Sequence, residues 1–268
     1  MRGAGRGYRP RIDDSRRERL RGVSGLDPRL SKAVTAHSLI VAALGVVHSL
    51  RIRGLRRTLL FAALGSAIPT LSELVAVNVV KVVRHHAQPQ VRGVPLAIVL
   101  LWYNVCYGSL ILVKGNTNRT DPHKSKESLA LAPAVALVAT SLDLLLDPFG
   151  LDLGLWEWSG GGPYASEVEG PNGKRGVPLL NFAGWIALTT SVTLAYQRLE
   201  TGRNAAYTSD LGDSGGPGSR RAAALLLLSY YLPAVAWALQ RGKLKYLLYS
   251  ASFAAASWAA LKGRSAAP

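Results

Sequence analysis

The feature that most limits what this 268-residue chain can become is the recurrence of long apolar stretches almost free of charge. Stretches within 58–80, 94–114 and 128–147 reach the roughly 17–25 residues that a helix needs to cross hydrocarbon. A soluble helix would instead carry polar residues on every second turn, as an amphipathic stripe. Repetition of the pattern along one chain points to an all-α fold, a polytopic integral membrane helix bundle. About seven transmembrane helices are expected, at 33–50, 58–80, 94–114, 128–147, 177–197, 221–240 and 244–261. Together they make a single transmembrane domain over 33–265.

The formal net charge of +16 fits this reading. The basic residues gather in the tail and between the apolar runs, where they anchor a span against anionic lipid. They are not interleaved with aromatics on one face, so membrane lipid is the expected partner and nucleic acid is not. Residues 1–32 are rich in Arg and poor in large apolar groups, and are expected to form a basic flexible tail. With no apolar segment near the start there is no sign of a cleaved signal. The distribution of Lys and Arg places the N-terminus in the cytoplasm. Two longer connections are expected, an aromatic loop over 148–176 and a polar linker over 199–220. A single cysteine, Cys106, leaves no intrachain disulfide.

Within this frame two five-residue segments repeat. Arg92-Gly93-Val94-Pro95-Leu96 and Arg175-Gly176-Val177-Pro178-Leu179 are each followed at the same distance by a Trp, Trp102 and Trp185. Spans two and four run in the same direction, as do three and five, so both segments lie at one membrane face and the repeat is parallel. Pro in the first turn of a helix costs nothing, because its missing N–H has no partner there in any case.

Helix-opening geometry explains the Gly and Pro but not the acids. Glu73 lies in IPTLSELVAVNVV, and Asp143 and Asp147 lie in VATSLDLLLDP. A carboxylate at bilayer depth costs at least ~2.5–3.5 kcal/mol, so such groups face the bundle interior and usually serve a function. Asp147 has two readings, a marker of the interface before Pro148 and a member of the site. Asp143 and Asp147 share one helix face, being four apart, and so do Asn181 and Trp185. Trp102 and Asn104 come from span three, and Asn78 from span two. Trp156, Trp158 and Tyr164 suit a membrane–water interface. Closing these faces together puts carboxyls, amides and indoles in a dry pocket. Aromatic faces stabilise a cation that develops beside them. An acid among aromatics in an apolar cavity is the equipment for protonating an alkene.

Other chemistries fit less well. His85 and His86, read as neighbours on a helix, point about 100° apart. No further His or Cys stands at ligand spacing, so no metal is expected. Nucleotide-binding and hydrolase motifs are missing. Asp143, Asp147 and Asp152 do not have the spacing of a diphosphate-binding aspartate motif.

Several of these residues occur together in a known family. Ser72-Glu73, Gly93-Val94-Pro95-Leu96 with Trp102, Asp143, Asp147-Pro148, Trp156-Glu157-Trp158, and Gly176-Val177-Pro178 leading into Asn181-Phe182 and Gly184-Trp185 follow one another in order. The chain thereby resembles, over about residues 65–190, the carotenoid biosynthesis membrane family of bisanhydrobacterioruberin hydratases and bacterial carotenoid 1′,2′-hydratases. It diverges from that family over residues 79–92, where a Gly- and Tyr-rich segment is replaced by one with neither. The resemblance implies addition of water to the terminal double bond of a long acyclic carotenoid, without a cofactor. It further implies association with other enzymes of the same pathway. In the roles that follow, Asp143 is the acid and Glu73 its alternate or the partner that holds water. Asn181 orients that water, and Asp147 completes the catalytic set. Trp102, Trp158 and Trp185 line the cation, with Trp156, Tyr164 and Asn78 as further substrate contacts. Two other readings remain beside it, another isoprenoid-lipid enzyme (prenyltransferase or cyclase) and a carotenoid- or lipid-binding membrane protein without catalysis.

Overall fold

A computed structural model describes residues 26–114, 124–160, 162–163, 176–201 and 217–262. Its first helix, α1 (Pro28–Val75), opens where the Asp27 side chain accepts a hydrogen bond from the backbone N–H of Arg29 at 2.8 Å, with Pro28 in the first turn. This cap draws the last residues of the expected tail into the membrane domain; residues 1–25 lie outside the described part.

Gly54 interrupts α1 with φ 76° and ψ 169°, a backbone conformation essentially reserved for glycine. Ser49 Oγ lies 2.9 Å from Thr58 Oγ1. Nine residues of straight helix would separate them by about 13.5 Å along the axis. The arms 28–53 and 55–75 therefore fold back on one another. Their far ends meet the same loop: Ser31 and Thr35 donate to the Gln88 carbonyl, while Glu73 contacts His85. We call this end of the bundle the site face. A π-helical turn (Ala76–Val80) closes the second arm, and Lys81 leaves it at φ 59°.

After three short strands comes α2 (Leu96–Lys114), then α3 (Lys124–Asp152), α4 (Leu179–Thr201) and α5 (Pro217–Gln240). Among the described residues, five helices are long and apolar enough to cross a membrane. The first of them, counted through the π-helical turn, holds both arms. Six of the expected spans are thus present as helix. The seventh differs. Residues 244–261 are divided at Ser250 into α6 (Leu244–Tyr249) and α7 (Ala251–Leu261), neither of bilayer length. Ser250 Oγ donates to the Leu247 carbonyl and pairs with the Tyr231 hydroxyl at 3.0 Å, which fixes the break.

The two expected connections are also shorter than their sequence boundaries. Helix α3 runs through Pro148 to Asp152, and α4 and α5 extend to Thr201 and back to Pro217. Residues 164–175 and 202–216 lie outside the described part.

Helices α2 and α3 form the centre, with 72% and 67% of their spanning residues buried against 28–39% for the other three spans. The outer helices spend their apolar surface on lipid. The two halves of the repeat correspond closely. Gly93 and Gly176 have φ 82° and 79°, and each following helix begins with a Leu N–H donating 2.9 Å to a proline carbonyl, Leu96 to Pro89 and Leu179 to Pro163. In the first half β2 (Gln90–Val91) pairs with β3 (Val94–Pro95) around Arg92-Gly93. The halves are joined across the site face by β1 (Val83–His85) and β4 (Trp156–Trp158), antiparallel, with Val83 opposite Trp158 and His85 opposite Trp156.

Candidate active site

Two walls of polar groups face one another beneath the β1–β4 pair. The first is built on α3, whose 3.6-residue period puts Asp143 and Asp147 on one face. Both are buried, at 5% and 3% exposure. Asn181, in the first turn of α4, bridges them: its amide Nδ2 donates 3.1 Å to Asp143 Oδ2 and 2.6 Å to Asp147 Oδ2. The other oxygen of Asp147 accepts from the Trp156 indole N–H and, at 3.4 Å, from that of Trp158. Trp156 comes within reach because Gly150 has no side chain; a Cβ there would stand 2.2 Å from the indole ring. Asp147 is thus an acceptor at both oxygens, while Asp143 accepts at one.

The second wall is Glu73, at the end of the second arm of α1. Its Oε1 accepts from Trp102 Nε1 at 3.0 Å, and its Oε2 lies 3.1 Å from His85 Nε2. His85 reaches it because β1 is extended: alternate residues point to opposite sides, so Val83 and His85 turn inward and Arg84 outward. The His85 ring meets Trp156 edge to face at 6.3 Å. His86, on the other side of the strand and outside the spans, lies 3.9 Å from Glu157. Burial lowers its pKa, opposed by the Glu157 charge.

Between the walls Trp102 and Trp185 stack, ring centroids 3.8 Å apart and planes 21° from parallel. The space divides into two chambers. An inner one of about 40 Å³ is lined by Glu73, His85, Asp143, Asp147, Asn181 and the four indoles of Trp102, Trp156, Trp158 and Trp185. An outer one of about 250 Å³ shares Glu73, Trp102, Trp158, Asn181 and Trp185, and is otherwise lined mainly by Val, Leu, Ala, Gly and Pro. Neither has a Lys or Arg in its lining. The carboxyl groups are met instead by one amide, three indole N–H groups and the His85 ring nitrogen.

Of the residues expected to form the site, Glu73, Trp102, Asp143, Asp147, Trp156, Trp158, Asn181 and Trp185 converge here. Asn78 does not line either chamber; its amide donates to the carbonyls of Leu74 and Arg92, tying the π-helical turn to the first glycine-proline opening. Asn104 bonds away from the site, to the Tyr230 hydroxyl at 2.7 Å. Tyr164 lies outside the described residues. Asp152 stays apart, bound to Trp237 Nε1 at 2.8 Å and to Arg241 at 3.3 Å. His85 is the residue that sequence reasoning missed. Treated as helical, it had no reason to share a face with anything; the alternation Val83-Arg84-His85 next to a β-branched run was the available signal.

Residues 33–211 match the sequence model of a family described as carotenoid biosynthesis protein. The match takes in both halves of the repeat and all of the residues that line the two chambers. No curated protein matches the chain, and no solved structure does.

Proposed function

This chain belongs to the carotenoid biosynthesis protein family, and from that premise we propose that it adds water across the terminal carbon–carbon double bond of an acyclic carotenoid. The observation that carries the reading is the pair of opposed walls: carboxyl groups on both sides of a chamber lined by indoles, with no Lys or Arg in its lining. An alkene offers no charge to bind and becomes a cation when it reacts. A site for it needs a proton donor, a surface that tolerates positive charge, and a base for the water.

Asp143 enters as the acid, because its second oxygen is not engaged by the hydrogen bonds that hold Asp147. It delivers a proton to the less substituted alkene carbon; the π pair forms the new C–H bond and the neighbouring carbon becomes a tertiary cation. The Trp102, Trp158 and Trp185 faces flank that cation, and the Asp147 carboxylate, held by its indole and amide donors, opposes its charge. Water attacks from the Glu73 side. As the C–O bond forms, Glu73 takes the released proton with His85 behind it, and proton return to Asp143 closes the cycle. Atoms and charge balance: one water is consumed, one C–H and one C–OH are made. Proton transfer of this kind contributes about 10²–10⁴-fold to a rate.

Expression in a host that accumulates lycopene tests the proposal, with mass spectrometry of the extracted pigments. The expected result is a gain of one water per modified end, lost in Asp143→Asn. A gain of a prenyl unit would move the assignment to a transferase. Unchanged pigment, with the protein folded and in the membrane, would refute hydration.

A further inference from the structure

The outer chamber contains no catalytic carboxylate except Glu73 at its inner edge, and opens sideways. Its lining includes Val75 and Val80 at the end of the second arm and Leu180 in the first turn of α4, which are 48%, 57% and 64% exposed on the outside of the bundle. These side chains are apolar and sit at the ends of helices long enough to cross a membrane, the kind of surface that a bilayer covers. The chamber leads inward past Gly184 and Leu188 to the stacked indoles.

Its size limits what it can hold. The volume of about 250 Å³ lies just below the roughly 300–1,000 Å³ of sites that enclose a drug-sized ligand, so it holds a fragment of that order. That is the last one or two branched units of an isoprenoid chain, a small part of a whole carotenoid. We propose that the outer chamber is a pocket for the acyclic end of the polyene, entered laterally, while the rest of the chain stays in the bilayer. The inference rests on the hydration reading for the choice of ligand class and goes beyond it in assigning a site. The protein then reads the end of its ligand and not its length. A slim, flexible, branched end should fit, and a broader end closed into a ring should fit less well. Burying such an end gives about 25 cal/mol for each Å² of apolar surface removed from competing contact with water, but little against lipid. Selectivity must therefore come from shape.

Gly184 gives the means to test this. A Cβ built there meets nothing within 4 Å, so this lining position has open space for a larger side chain. Binding is read from tryptophan quenching of the purified protein in detergent. The probes are lycopene, an acyclic polyene of half its length with the same ends, and β-carotene. The two acyclic probes should bind within about threefold of each other, and β-carotene at least tenfold more weakly. Gly184→Leu should weaken lycopene binding at least tenfold. Leu180→Trp, at a lipid-facing position where folding is not at stake, should do the same from the mouth. Equal binding of β-carotene, affinity that climbs with chain length, or unaltered binding in both blocked variants would overturn the pocket. Pocket and reaction fail separately. End-selective binding without hydrated product removes the reaction and leaves the pocket, whereas full hydration by Gly184→Leu removes the pocket and leaves the reaction.

Discussion

Asp143 and Asp147 are chemically identical, one helical turn apart, and engaged in different ways. Asp147 is tied through both oxygens to three N–H donors, and Asp143 through one oxygen to one. Replacement of each should therefore do different damage. Asp147→Asn turns an N–H₂ group toward donors that need an acceptor, and an unsatisfied buried donor costs about 1–3 kcal/mol. It should lower the thermal unfolding midpoint in detergent as well as turnover. Asp143→Asn should leave the midpoint nearly unchanged and lower product formation by at least ~10²-fold. If both variants unfold alike, the division of roles is wrong. At this scale the acids and the amide were legible in the sequence, because a charge inside an apolar run is conspicuous whatever the tertiary structure. His85 was not. Its position depends on pairing with a strand some seventy residues away, and strand pairing is not encoded locally.

At the scale of the element, two glycines do separate work. Gly54 reverses α1 in a conformation that costs other residues about 1–3 kcal/mol. Gly150 lets an indole rest against the end of α3. Gly54→Ala should lower stability by that amount and leave the tryptophan emission spectrum as it is. Gly150→Ala forces Trp156 off its seat, with an overpacking cost of about 1–3 kcal/mol. It should shift the emission spectrum and reduce turnover together, because the Trp156–Asp147 bond goes with the ring. The helices themselves were readable from hydropathy, since length and absence of charge decide a span. The break at Ser250 was not readable, because the hydroxyl that fixes it is held by Tyr231 on another helix. Nor was the extension of α3 beyond Pro148, where Asp147 and Pro148 looked like the end of a span and are instead inside one.

For the molecule as a whole, the folded-back α1 has a topological consequence that can be measured. Arg56, beside the Gly54 turn, and Arg84, on the outer side of β1, are both exposed and lie at opposite ends of the bundle. The sole native cysteine, Cys106, is buried. Arg56→Cys and Arg84→Cys should react with a membrane-impermeant thiol reagent from opposite sides of sealed vesicles, one in right-side-out and the other in inverted preparations. Labelling of both from one side would rule out the hairpin. The repeat was visible in the sequence as a recurring five-residue segment with its Trp. What the sequence did not contain was the relation between the copies. Trp102 and Trp185 stand at equivalent positions in the two segments and stack on one another, so the copies meet at these two indoles. The acids differ from one copy to the other, one Glu with a His facing two Asp with an Asn. Covalent linkage is what permits this: a true dimer would have to repeat each substitution in both copies, whereas a fused one can give its two halves opposite halves of a reaction.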